Sequence, residues 1–236
     1  MAAGTCSPNP LPATERPDMI PISSRLAALA AVAMLASFAP GARAAAQQDP
    51  VAELDMLLGG ISTLSADVSQ LILESGGGLL EESAILMRLR KPGGFYWETL
   101  DPFPELIVTD GDTLWNYQPD LEQVVIENWD RNRAELAAQL LNGETGGLAE
   151  EYRVTLVTAP ELHRFELLPL APDSPYALIA IEFVGEELDI IRLDNRNGQQ
   201  TVWRFINLER NVPMEDSLFV FAPPPGIEIV DSRTAD

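Results

Sequence analysis

The chain has 236 residues, 46% of them hydrophobic, and carries 36 acidic against 15 basic side chains for a formal net charge of −21. That composition excludes disorder and fits one globular domain or two small ones, while so negative a surface repels nucleic-acid phosphates and anionic headgroups. One cysteine and one histidine leave little material for thiol, zinc or haem chemistry, so no metal and no cofactor are expected.

Leu26 to Phe38 is an uncharged apolar run, preceded by Arg25 and followed by Pro40-Gly41 and the small-residue triplet Ala42-Arg43-Ala44. This is the layout of a secretory signal peptide over residues 1–44, too short for the roughly 20 apolar residues of a spanning helix. Met19 is an alternative start that gives a leader of ordinary length, and cleavage is expected near Ala44 to Ala46. Cys6 precedes the apolar run, so it is not placed for lipid modification, and the mature chain has no cysteine. The leader holds only Arg16, Arg25, Arg43, Glu15 and Asp18, so the acidity belongs to the mature surface and reads as solubility.

In the mature part, 45–236, Asp49-Pro50 pairs an N-cap with proline at the first helical position. Val51, Leu54, Leu57, Leu58 and Ile61 then recur at helical spacing, with Gly59-Gly60 at the end. From Leu64 the texture changes to period two, which predicts strands over Leu64 to Ile72, Leu80 to Leu89, Phe95 to Leu100, Glu105 to Thr109, Thr113 to Tyr117 and Glu122 to Ile126. A second helix is predicted over about Asn132 to Leu141, with Leu136, Ala137, Leu140 and Leu141 on one stripe and Asn142-Gly143 as its stop. Further strands are predicted over Tyr152 to Thr158, Leu162 to Leu168, Tyr176 to Val184, Glu187 to Leu193, Thr201 to Leu208, Leu218 to Phe221 and Ile227 to Val230. No repeat, linker or composition shift divides this part, so one domain is expected.

About 10 antiparallel strands with two or three helices make a closed barrel or an open, curved sheet with helices over one face. The striped helices must bury Leu54, Leu57, Leu58, Leu136 and Leu140, and the concave side of a curved sheet is the available place. They are therefore expected to form a lid.

Catalytic equipment is scarce. No G-x-S-x-G elbow is present, and His163 alternates with apolar neighbours as a strand surface residue. Glu81-Glu82, Glu150-Glu151 and Glu186-Glu187 are sequence neighbours, which on strands point to opposite faces and make poor acid/base pairs. Asp110-Gly111 and Asp194 to Gly198 read as β-turns rather than metal loops. The aromatic residues carry more: Phe95 and Trp97 share one strand face, as do Trp115 and Tyr117, and either pair fills a core or lines an apolar pocket.

Arg88 to Trp97 (RLRKPGGFYW), Val108 to Tyr117 (VTDGDTLWNY), Asp120 to Val124 and the closing Phe219 to Ile227 (FVFAPPPGI) resemble, in order, the blocks of the periplasmic outer-membrane lipoprotein carriers, the LolA family. Asp194 to Thr201 is loosely similar to a further block of that family. The resemblance spans nearly the whole mature chain. It implies an incomplete antiparallel β-barrel of about 10 or 11 strands whose apolar concave face is closed by short helices. It also implies a monomeric, non-enzymatic periplasmic chaperone of a Gram-negative bacterium. Such a protein accepts triacylated lipoproteins from an inner-membrane ABC releasing complex (LolCDE) and delivers them to an outer-membrane receptor lipoprotein (LolB).

In that family an arginine before the proline of the "K-R-P" block hydrogen-bonds to the lid and holds the empty form closed. Here Lys91 takes that position, a point donor in place of a planar fork, and Arg90 is expected to point to the opposite face. Phe95 matches the phenylalanine of the pocket mouth, and Trp97 the tryptophan that follows. With them Ile85, Met87, Leu89, Trp115 and Tyr117 are expected to line the acyl-chain cavity. A different expectation on the same scaffold is a periplasmic sensor or regulatory domain that binds lipid or lipoprotein without delivering it.

Overall fold

The computed structural model describes residues 49–129, 141 and 147–233, all within a unit that runs from Ala45 to Asp236. Helix α1 (Pro50–Gly59) starts where its cap chemistry places it: Asp49 accepts a hydrogen bond from the Val51 amide at 3.0 Å, and Pro50 fills a position whose N–H has no helical partner. Leu54, Leu57 and Leu58 form its buried stripe.

The rest is sheet. The strands are β1 (Thr63–Leu73), β2 (Leu79–Arg90), β3 (Gly94–Asp101), β4 (Glu105–Thr109), β5 (Thr113–Gln118) and β6 (Gln123–Asn128), then β7 (Tyr152–Ala159), β8 (Leu162–Pro169), β9 (Tyr176–Val184), β10 (Glu187–Asn195), β11 (Gln200–Arg210) and β12 (Glu228–Asp231). They form one open sheet in the order β12-β6-β5-β4-β3-β2-β1-β11-β10-β9-β8-β7. Two hairpin meanders, β1 to β6 and β7 to β11, are thus joined edge to edge by the antiparallel pairing of β1 with β11. A single helical turn, α2 (Leu148–Glu151), precedes β7 and buries Leu148. The period-two pattern gives no signal for so short a helix.

The predicted strands are found, with two corrections. Leu218 to Phe221 is not a strand: Asp216–Phe219 is a 3₁₀ turn followed by extended chain outside the sheet. Phe219 is fully buried, and its ring lies where a side chain on Gly94 would sit. The segment is held by packing across the sheet instead of by a ladder. β12 then pairs with β6 in parallel, Ile229 opposite Val124, so the sheet is not wholly antiparallel. The predicted helix at Asn132 to Leu141 lies outside the described residues except for Leu141, a helical residue that is buried.

Register sorts the strand residues between two faces, because directly opposed residues share a side. On the concave face Leu64, Ala66 and Val68 of β1 stand opposite Leu89, Met87 and Ile85 of β2. Leu89 and Met87 in turn oppose Phe95 and Trp97 of β3. In the other meander Phe205 and Trp203 oppose Val68 and Gln70, Ile191 opposes Trp203, and Ile181 lies between Ile191 and Phe165. Apart from Gln70, and with Trp97 packed against its margin, these side chains and the α1 leucines form one buried cluster. The outer face has its own apolar layer of Val108, Val124 and Ile126, with Phe219 from the C-terminal segment.

The two hairpin turns that follow β2 and β4 touch: Gly93 (φ +82°) would place a Cβ 2.8 Å from the Gly111 Cα, and Gly111 is itself at φ +104°. Gly93→Ala must both strain the left-handed backbone and push apart two main chains. A loss of at least about 2 kcal/mol of unfolding free energy is expected in urea denaturation.

Candidate functional site

The site is the concave face and the helix laid over it. Phe95 is only 8% exposed and stacks on Trp97, with centroids 5.9 Å apart. Trp97 meets Trp203 edge to face at 6.3 Å. This aromatic run crosses from β3 to β11 beneath Leu54, Leu57 and Leu58. The Trp203 indole N–H donates to Gln70 Oε1 at 2.6 Å, so its one polar atom is satisfied inside an otherwise apolar surface.

Three sets of polar contacts fix α1. Its exit is bolted to the end of β11 by Asn211: Oδ1 accepts from the Ser62 amide and hydroxyl, both at 2.8 Å, and Nδ2 donates to Gly60 O at 3.0 Å. Asn211 holds a left-handed backbone (φ 59°), which asparagine tolerates better than most residues. One residue beyond β2, Lys91 Nζ donates to Leu58 O at 2.8 Å. Leu58 O already accepts from the Ile61 amide at 3.1 Å, so the ammonium is a further donor to this carbonyl and complements the helix dipole. Burial lowers the Lys91 pKa from its ordinary value, and the negative charge of Asp55 on α1 works against that shift. Nearer the start of α1, Glu53 Oε1 lies 2.7 Å from His163 Nδ1 on β8.

Of the residues expected to line a cavity, Ile85, Met87, Leu89, Phe95 and Trp97 stand together on the concave face under α1. Leu54, Leu57 and Leu58 belong to the same buried cluster; Leu136 and Leu140 lie outside the described residues. Trp115 and Tyr117 do not belong to this group. Their partners across the ladder are Val108 and Leu106, which themselves oppose Tyr96 and Glu98, so both aromatic side chains project from the outer face. Tyr117 stacks there on Phe221 of the C-terminal segment, centroids 5.1 Å apart. The two aromatic pairs have the same parity within their own strands, and only the register between strands separates them.

His163 also differs from expectation. It shares the concave face with Phe165 and Leu167, is 35% exposed, and contacts Glu53 of α1 instead of facing solvent alone. Its alternation with Phe165 and Leu167 was the available signal. Trp203, Gln70, Phe165, Ile181 and Phe183 complete the surface; nothing in the sequence told which face they took. Arg90 points outward, pairing with Asp216 and lying over the Phe219 ring at 4.6 Å. Asp110 caps its hairpin turn by accepting from the amides of Asp112 and Thr113. Among the described residues no group of three or more His, Cys, Asp or Glu could hold a metal ion.

An open sheet curled about an apolar concavity, with a helix pinned across it by a few polar contacts, defines a half-barrel binding protein. The family model described as "Outer membrane lipoprotein carrier protein LolA" matches residues 59–222. An outer-membrane lipoprotein carrier protein of Chromohalobacter salexigens is 34% identical over 200 residues, covering 85% of this chain and 95% of the relative. One of Pseudomonas aeruginosa is 32% identical over 202 residues, with 86% and 95% covered. A solved structure of an uncharacterized conserved protein from Thermus thermophilus shares the fold at 14% identity and a TM-score of 0.50, covering 77% of this chain and 96% of that one. The chain belongs to the LolA family of outer-membrane lipoprotein carriers.

The face assignment is directly measurable. A brominated fatty acid in the concavity quenches indoles within contact range, so Trp97→Phe is expected to remove much of the quenching. Trp115→Phe is expected to leave its amplitude unchanged, and a loss equal to that of Trp97→Phe would return Trp115 to the cavity.

Proposed function

We propose that this protein is a periplasmic lipoprotein carrier. It takes triacylated lipoproteins from an inner-membrane ABC releasing complex, shelters their acyl chains against the concave face, and passes them to an outer-membrane receptor lipoprotein. The segment 1–44 serves as its cleaved export signal. What supports this reading is the union of a continuous apolar concave face with a helix laid over it and tied to the β2 side by the hydrogen bond from Lys91 to Leu58 O.

The energetics require such a device. Three long acyl chains, at about 0.8 kcal/mol for each CH₂ removed from water, do not cross an aqueous compartment unsheathed. The empty sheath faces the same problem, and Leu54, Leu57 and Leu58 answer it by burying about 2 kcal/mol of apolar side chain each. Cargo replaces these leucines against Phe95, Trp97, Ile85, Met87 and Leu89, so the gain on loading is the difference between two buried states. That difference is small enough for release as well as uptake.

Energised inner-membrane vesicles incubated with the protein should yield lipoproteins in a soluble one-to-one complex. Phe95→Glu, which sets a charge in the middle of the apolar contact, should abolish that release; release at the parental level would remove Phe95 from the cargo path. Lys91→Arg supplies a second donor to the carbonyls at the end of α1. It should raise the melting temperature of the empty protein and slow loading, and no change in either would reject Lys91 as the latch.

A further inference from the structure

We propose that Glu53 and His163 form a second anchor of α1, placed at the swinging end of the helix, and that this pair rather than Lys91 alone sets how readily the roof lifts. The inference rests on the carrier reading for its purpose, and on the geometry of α1 for its content.

The exit of α1 is a hinge. Chain continuity through Gly59-Gly60-Ile61 into β1, together with Asn211 and its bonds to Ser62 and Gly60, holds that end whether or not the helix lies down. Gly59 has no neighbour within 4 Å of where a Cβ would stand, and beside Gly60 the nearest group is the end of the flexible Arg210 side chain at 3.2 Å. The Lys91 contact, on Leu58 O, is one residue from this pivot. Glu53 is five residues nearer the free end, about 7.5 Å along the axis at 1.5 Å per residue. A helix rotating about Gly59-Gly60 moves Glu53 several times farther than Leu58. Lifting it must therefore part Glu53 from His163, while a flexible lysine can follow Leu58 through a small arc.

The pair is built for holding. An ionised carboxylate only accepts, so His163 Nδ1 carries the proton that donates to Glu53 Oε1 at 2.7 Å. The Glu53 side chain is 9% exposed, and its second oxygen, Oε2, is buried with no hydrogen-bond partner among the described residues. The closed state thus gains one charge-assisted bond and bears one desolvated oxygen that water would solvate on opening. A holding contact with a built-in cost of closure suits a roof that must open again. The two anchors also lie on different meanders, Lys91 just past β2 and His163 on β8, so α1 spans the concavity from one half of the sheet to the other.

The test follows the helix without cargo. Spin labels at Met56→Cys, 67% exposed on α1, and Leu168→Cys, exposed on β8, in a Cys6→Ser background of the full coding sequence, report their separation by pulsed electron resonance in the soluble protein. His163→Leu is expected to raise the long-distance, lifted population about tenfold, as loss of one charge-assisted bond would. His163→Asn, which keeps a donor near the Nδ1 position, should restore most of the closed population. Glu53→Ala, which removes the bond and the desolvated oxygen together, should raise the lifted population less than His163→Leu, and the double variant should go no further than His163→Leu. Distance distributions identical to the parent in both folded single variants would overturn the proposal. So would failure of the asparagine rescue, or a lowered melting temperature with the helix still down. Because no lipoprotein takes part, absence of vesicle release would sink the carrier reading and leave this readout standing, and the reverse also holds.

Discussion

A sheet with one continuous apolar concave face cannot leave that face to water. Nearly every feature of this molecule answers that constraint. Leu64, Ala66, Val68, Ile85, Met87, Leu89, Phe95, Trp203 and Phe205 are buried because α1 and neighbouring segments lie over them, not because a second sheet does. An ordinary core closes once, at folding, with partners that interlock permanently. Here the cover includes a ten-residue helix with three buried leucines, joined to the sheet at a glycine pair, together with Leu141 and Leu148.

The end of β2 shows how one turn serves both sides of the sheet. Arg90 and Lys91 are adjacent, and alternation sends them apart. Arg90 fixes the C-terminal segment on the outer face through Asp216 and the Phe219 ring, while Lys91 reaches across the rim to the last turn of α1. The outer segment is bound by packing with Tyr117, Gly94 and the β6 edge, which makes it a strap on the rigid side of the sheet. The concave side, by contrast, is secured to α1 by Lys91, Asn211 and the Glu53–His163 contact. The two faces therefore differ: the outer one carries an extended segment held by packing and one ion pair, the concave one a helix held by its buried leucines and by polar contacts.

Much of this was legible in the residue order. Local chemistry located α1, since Asp49 and Pro50 define a helix start without reference to anything distant, and the hairpin turns at Asp110-Gly111 and Asn197-Gly198 follow from local backbone demands. Period-two alternation marked the strands and put Ile85, Met87 and Leu89 on a common side, as well as Phe95 with Trp97. The run around Lys91-Pro92 and the closing proline-rich block carried the family.

Alternation says which residues of a strand travel together but not which side of the sheet they reach, because a shift of one residue in pairing inverts the whole set. That is why Trp115 and Tyr117, equal in parity to Phe95 and Trp97, could only be assigned to the outer face once β3, β4 and β5 were in register. It is also why His163 read as a surface residue until β8 was placed beneath α1 and Glu53 arrived from 110 positions away. The sequence by itself determined the elements, their turns and the apolar stripe that needs a cover. Tertiary structure alone decided which face α1 covers, which side chains hold that helix, and that the C-terminal segment straps the opposite side, since each depends on contacts between segments that no local pattern encodes.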